Sequence, residues 1–342
     1  MSHIHREERM SKRILSFFLV FLLGIATIAC GKKEKQNKQL TISVIPKGTS
    51  HAFWQSVHAG AVKAGKELGV NVLWVGPEKE DDRQQQITLV DNQVINQVDA
   101  IVLAPTDAVA LRRPVKSAVR QGVPVVIIDS GLEDSEDIYT SFVATNNVKG
   151  GEIAANKLAE MLEGNGNVIL LRLLEGHAST GNREKGFLSA IAQYPGITVV
   201  SSEQYGGATK ATAQNASENL LLRFKDEEGN FTVDGIFCVN ESTTYGMLQA
   251  LRRHRLAGQV KFVGFDAAEA LLEGMEKEEI NGLVVQNPLK MGYLGVKTAV
   301  DHLQGKPVEK RIDTGVVFVV KEDMDKPEMH ELLYPDLEKW LQ

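Results

Sequence analysis

The sequence predicts an α/β protein made of two similar lobes, each with a parallel sheet covered by helices. Three observations carry this. Short β-rich runs alternate with longer amphipathic stretches from residue 40 to about residue 320, the order expected of α/β domains. Runs such as Val123-Pro124-Val125-Val126-Ile127-Ile128 are apolar throughout, as strands buried on both faces are. One strand–helix–strand unit also recurs. Val98-Asp99-Ala100-Ile101 heads the first copy and Val233-Asp234-Gly235-Ile236 the second, 135 residues later. The copies end on Ile128-Asp129-Ser130-Gly131 and Phe265-Asp266-Ala267-Ala268, 137 residues apart. A repeated unit of this size suggests two similar lobes.

The chain begins with an address. Residues 14–29 are uncharged and mostly apolar, with Lys12 and Arg13 before them and Thr27-Ile28-Ala29-Cys30 closing the run. That is a charged, apolar and small-residue order, the pattern of a secretory signal. The run is short of the ~20 residues that cross a bilayer. Residues 1–29 are therefore expected to be removed. Residues 30–39 (CGKKEKQNKQ) are polar and without periodicity, which reads as a solvated tether.

From residue 40 the β-rich runs place strands at 40–45, 71–75, 99–103, 123–128, 141–144, 167–171, 197–201, 235–239, 261–264 and 282–285. Helical spacing of apolar residues marks 53–68, 82–97, 108–121, 148–163, 181–193, 210–224, 243–254 and 291–304. Cys238 sits in the apolar run Ile236-Phe237-Cys238-Val239 and reads as a buried, inert thiol. The acidic segment 226–230 (DEEGN) is too short for a calcium loop and reads as an exposed turn.

Composition narrows the function. Of 342 residues, 43% are hydrophobic and 24% charged, an ordinary globular balance. The formal net charge is −6. Residues 1–29 carry Arg6, Arg9, Lys12 and Arg13 against Glu7 and Glu8, so the mature chain stands at −8. This argues against nucleic acid as a partner. Two cysteines make no disulfide framework. The eight histidines show no metal-ligand spacing, and there is no GxGxxG after the first strand, no Walker A, HExxH or GxSxG sequence. No cofactor, metal or enzymatic activity is expected.

Ligands of open parallel sheets bind beyond the carboxyl ends of the strands. Asp129 and Asp266 stand at such ends, one per copy of the repeat. A lone strand-end Asp serves equally as a helix cap or turn residue; the paired placement favours a cleft between the lobes. The first strand runs into Pro46-Lys47-Gly48-Thr49-Ser50-His51-Ala52-Phe53-Trp54. Phe53 and Trp54 suit either the core at a helix start or the C–H face of a sugar ring. Lys47 and His51 can donate to ligand hydroxyls, or lie in solvent and in the loop. Arg183, placed in the first turn of the 181–193 helix, can donate two parallel bonds or be an ordinary exposed helix arginine. Asn240 and Gln286 end strands, where an amide can both donate and accept as a hydroxyl does; Asn240 also suits a turn. Pro288 after Gln286-Asn287 makes a turn or hinge there plausible.

Together these residues resemble the ribose-binding family of type I periplasmic binding proteins, the solute receptors of bacterial ABC importers. The likeness runs from about residue 40 to residue 321. Thr41-Ile42 through Phe53-Trp54 matches the first strand, ligand loop and aromatic pair of that family. Ile127-Ile128-Asp129, Ala144-Thr145-Asn146-Asn147 with Gly150-Gly151, and Arg183-Glu184-Lys185-Gly186-Phe187 follow in order. Asn240, Val263-Gly264-Phe265-Asp266 and Gln286-Asn287-Pro288 complete the series. By this resemblance Phe53, Trp54, Asp129, Arg183, Asn240, Asp266 and Gln286 would contact a sugar. The family carries Arg after the first Asp, where this chain has Ser130, and Ser and Asn at the places of Lys47 and His51. Ile45-Pro46-Lys47, Gln204-Tyr205-Gly206 and Ala208-Thr209-Lys210 resemble instead the receptor for the autoinducer-2 furanose signal, in which a Lys at the first of these places is a ligand.

The resemblance implies two Rossmann-like lobes joined by a three-strand hinge, with crossings near Thr145, Gln286 and Val316. Residues 40–144 and 288–315 would form the N-terminal lobe, and 145–287 and 316–342 the C-terminal lobe. The Cys30 context is similar to a lipobox, so Cys30 would carry lipid and hold the exported protein at a membrane. The implied function is a monomeric receptor for a monosaccharide or small polyol, with a furanose signal as the alternative ligand. It would deliver the ligand to an ABC permease, and its closed face would also suit a chemoreceptor. Two other classes share these features: a sugar-responsive repressor, which needs an N-terminal helix-turn-helix absent here, and a glycosidase using Asp129 and Asp266 as an acid–base pair.

Overall fold

The computed structural model describes residues 39–341. The expected signal, Cys30 and nearly all of the tether lie outside the described residues. From Leu40 onward the chain packs as one unit containing two α/β lobes. The first sheet has the strand order β11-β5-β4-β3-β1-β2 and the second β12-β10-β9-β8-β6-β7. The first sheet comprises β1 (Thr41–Ile45), β2 (Asn71–Trp74), β3 (Ala100–Leu103), β4 (Val125–Ile128), β5 (Ser141–Ala144) and β11 (Arg311–Asp313). The second comprises β6 (Asn165–Leu171), β7 (Gly196–Ser201), β8 (Gly235–Cys238), β9 (Lys261–Phe265), β10 (Gly282–Gln286) and β12 (Val316–Val319). All pairings are parallel except that of β10 with β12. The ten sequence-marked strands are present. The short β11 and β12 were not marked, because three or four residues give too little alternation to stand out.

Both faces of each sheet are covered. In the first sheet Val44, Val102, Val126 and Ile128 pack into one cluster, while Ile45, Ile101, Leu103, Val125 and Ile127 pack into another. The second sheet divides in the same way, with Ile169, Leu171, Ile236 and Cys238 on one face and Val168, Leu170, Phe237 and Val263 on the other. This is the two-residue side-chain period of a strand buried on both faces. Cys238 is fully buried and unpaired, and burial pushes its thiol pKa well up.

Chain connectivity crosses between the sheets three times, after β5, after β10 and between β11 and β12. The crossings are bonded to one another. The Thr145 hydroxyl donates to Gln286 Oε1 at 2.8 Å and lies 3.2 Å from the Thr314 hydroxyl. Residues 316–342, grouped above with the second lobe, divide between the two. Met324 and Leu333 are buried in the second-lobe core. Trp340 lies over Lys63 and Lys66, 5.7 and 5.5 Å from its ring centroid, on the first-lobe helix Ala52–Leu68.

Glycines set the helix spacing beside the cleft. A Cβ on Gly151 would lie 2.0 Å from the Arg183 carbonyl oxygen, so helices Asn147–Met161 and Ala178–Ile191 approach backbone to backbone. Gly60 plays the same part in the first lobe, against Leu289. The 225–232 loop is a tight turn in which the Asp226 carboxylate accepts from the Glu228 and Asn230 amides. Among the described residues no helix is long and apolar enough to cross a membrane.

Candidate functional site

The carboxyl ends of both sheets face one another across a cleft, and the residues there line one small cavity. Lys47, His51, Phe53, Trp54 and Asp129 reach it from the first lobe, and Arg183, Asn240, Asp266 and Gln286 from the second. All nine are buried. The structure thus brings together all nine residues expected to contact a ligand.

On the first-lobe side, Lys47 Nζ lies 2.6 Å from Asp129 Oδ2, both side chains almost fully enclosed. The pair stands where β1 and β4 end. Asp129 has φ 60°, a left-handed conformation that costs energy for a residue with a Cβ and turns its side chain off the strand direction. Phe53 and Trp54 open the helix Ala52–Leu68, with rings edge to face at 4.8 Å. The rings belong to the first-lobe core and also line the cavity. Trp54 Nε1 donates to Glu80 Oε1 at 2.6 Å. His51 Nδ1 is 3.4 Å from the same oxygen. Burial opposes charge on His51, but the hydrogen bond and charge of Glu80, with the charge of Glu241, raise its pKa above the usual value. Burial likewise opposes charge on Glu80, and the hydrogen bond and charge of His51, with the charge of Lys47, hold it well below the usual range.

On the second-lobe side, Arg183 is 2% exposed, which excludes the ordinary surface arginine. Its helix starts at Ala178, three residues before the expected start, so Arg183 falls in the second turn rather than the first. Nε donates to Asn147 Oδ1 and a terminal nitrogen to the Val239 carbonyl, both at 2.8 Å. The guanidinium lies 3.7 Å from the Phe265 ring centroid, a desolvated cation–π geometry. Asp266 has φ 71°. Its carboxylate accepts from Gln286 Nε2 at 2.7 Å and from the Glu241 amide at 2.9 Å. Burial pushes its pKa up to about 6, against the opposing pull of Arg183 and the Gln286 bond. Asn240 caps the helix Glu241–Arg253: its side chain accepts from the Thr243 amide, and the Thr243 hydroxyl accepts from its own. The turn reading and the cavity reading therefore coincide in one residue.

Glu80, Leu173, Ser179, Thr180 and Glu241 also line the cavity and were not named from the sequence. Leu173 and Glu241 stand just beyond the carboxyl ends of β6 and β8, where the strand-end rule points, whereas Glu80 lies farther along its loop and Ser179 and Thr180 lie in the first turn of the helix after β6. Ser179 links the lobes. Its hydroxyl accepts from Lys47 Nζ at 2.8 Å, and its amide donates to Ser130 Oγ at 3.1 Å. A further link joins the Ala108 amide to the Gly176 carbonyl at 3.0 Å. The cleft is therefore closed by direct bonds. Among the described residues no group of three or more His, Cys, Asp or Glu is placed to hold a metal ion.

A family model matches most of the chain. The model, described as a periplasmic binding protein domain, aligns with residues 42–307. The chain belongs to this family. Among relatives, the ribose import binding protein of Bacillus subtilis (strain 168) is 29% identical over 310 residues, spanning 88% of this chain and 96% of its own. Solved family structures superpose closely. A carbohydrate transporter solute binding protein from Agrobacterium radiobacter, in complex with D-arabinose, is 36% identical with a TM-score of 0.81, over 87% of this chain and 99% of that one. An ABC transporter solute binding protein from Agrobacterium vitis with bound D-fucose is 37% identical, also with a TM-score of 0.81, over 86% and 100%. The tail that reaches Trp340 lies beyond the residues that the family model matches.

Proposed function

We propose that this protein is the solute receptor of an ABC importer and binds a monosaccharide or similar small polyol between its lobes. The observation that carries the reading is the convergence of nine sequence-marked residues on one buried cavity. Buried carboxylates, a guanidinium and amides match hydroxyls that donate and accept, and two rings match a sugar's C–H face. The ligand contacts assigned are Lys47, His51, Phe53, Trp54, Asp129, Arg183, Asn240, Asp266 and Gln286. Closure adds the contacts of the second lobe to those of the first, so ligand shifts an open–closed equilibrium. The relatives named above, a ribose import binding protein and two receptors with bound D-arabinose and D-fucose, favour a monosaccharide over a furanose signal.

The lobes of this reading are residues 40–144 with 288–315 and residues 145–287 with the start of the last segment. Export fits the family, and lipidation of Cys30 would hold the monomeric receptor near its permease and a chemoreceptor. Mass spectrometry of the mature N-terminus tests the lipid. Calorimetric titration of the mature protein against pentoses, hexoses, polyols and autoinducer-2 tests the ligand class. Absence of binding to all the sugars and polyols would end the monosaccharide reading.

A further inference from the structure

The first-lobe helix Ala52–Leu68 has an unusual start. Its N-cap residue, His51, makes no side-chain capping bond, and its first turn holds no acidic residue. Four amide hydrogens at a helix start lack intrahelical partners and carry partial positive charge. Here the cap comes from the other lobe. Glu241 accepts from the Phe53 amide at 3.0 Å through Oε2 and from the Ala52 amide at 3.3 Å through Oε1. Glu241 itself opens the helix Glu241–Arg253, so one carboxylate stands between two helix N-termini that face each other across the cleft. It is 1% exposed and pairs with Lys210 at 2.9 Å.

This contact is also wired to the hinge. The Glu241 amide donates to Asp266, Asp266 accepts from Gln286, and Gln286 accepts from Thr145, which adjoins Thr314. A continuous chain of hydrogen bonds thus runs from all three crossings to the first-lobe helix.

We infer that Glu241 is the latch of the cleft, a positioning residue that caps the first-lobe helix only when the lobes are closed. Neither lobe needs this bond for its own fold, and opening breaks both amide contacts together. The latch therefore slows opening without altering ligand entry. This rests on the receptor reading for its ligand, but the latch acts between lobes whether or not sugar is present.

The test uses the mature protein labelled on two exposed positions, Lys116→Cys and Arg223→Cys, for single-molecule energy transfer. Glu241→Gln should shorten the closed-state dwell time by about tenfold, the scale of a lost charge-assisted bond, with and without sugar. The sugar's dissociation rate should rise by the same factor while its association rate stays unchanged. In the parent, hydrogen exchange at the Ala52 and Phe53 amides should slow when sugar is added, a readout that needs no variant at position 241. Unchanged dwell times, even with weakened affinity, would mark Glu241 as a direct ligand contact and overturn the latch. A parent without a measurable closed state would overturn it too. If no sugar binds at all, the receptor reading fails, while the sugar-free dwell times still decide the latch.

Discussion

Asp129 and Asp266 occupy the same place in the two lobes and adopt the same strained backbone. Their φ angles are 60° and 71°. Each ends a strand and donates its amide to the next strand, Asp129 to Val143 and Asp266 to Val284. Each is buried against the cavity. Their partners differ: a lysine faces Asp129, whereas Asp266 is held by an amide side chain and a helix-start N–H. One fold position thus yields two carboxylates of different character.

The Lys47–Asp129 pair should show strong coupling. Lys47→Met leaves a buried carboxylate without its cation, at a cost of about 3–5 kcal/mol. Adding Asp129→Asn should recover most of that stability. Denaturant midpoints of the four proteins in the double-mutant cycle give the coupling directly, and additive effects would contradict the pairing.

Asp266 should make the protein less stable as pH rises. Its pKa of about 6 in the folded state is above the ordinary carboxyl value because of burial. The folded state therefore holds the proton more tightly than the unfolded chain. The resulting stabilisation is lost as pH climbs towards and through about 6. Asp266→Asn does not titrate. The stability difference, parent minus variant, should shrink by about 2 kcal/mol between pH 4 and pH 7, as read from urea unfolding at each pH.

His51 and Glu80 should give another pH signature. The raised His51 pKa contributes stability that is present below the unfolded value and lost as pH rises through the folded one. The lowered Glu80 pKa contributes stability that is present above the ordinary carboxyl value and lost on acidification. Glu80→Gln should bring the NMR titration of His51 down from above 6.5 and weaken the protein most between pH 5 and 6. A His51 titration that ignores the change would refute the pairing.

Gly151 should tolerate no side chain. Gly151→Ala drives a Cβ against the Arg183 carbonyl, and the helix carrying Arg183 must shift. Overpacking of this kind costs about 1–3 kcal/mol. Sugar affinity should fall along with the melting temperature, because the guanidinium moves with its helix. Gly69→Ala, at a helix end with open space around it but φ 67°, should lower stability without touching affinity.

Much of this was legible in the sequence, and particular residues show why. The alternation of Ile101, Val102 and Leu103 between two apolar faces follows from the local run of apolar residues, and so do the ten principal strands. The repeated strand-Asp units place Asp129 and Asp266 at equivalent strand ends from the sequence alone. The division of the tail between lobes was not legible, because Leu333 and Trp340 belong to short helices with no period to read. Arg183 read equally well as a surface residue. Only the stacking on Phe265 and the bonds to Asn147 and Val239 remove that reading, and these partners lie 36 to 82 positions away in the chain.

Sequence by itself determined the fold class, the twofold repeat and the residue types at the strand ends, because these depend on local periodicity and on which side chains avoid water. Tertiary structure decided which charges meet: Lys47 with Asp129, His51 with Glu80, and Glu241 with a helix start in the other lobe. The physical reason is range. Burial is written in every residue's own chemistry, whereas the partner of a buried charge is fixed only when two lobes close and distant strand ends come within hydrogen-bond distance.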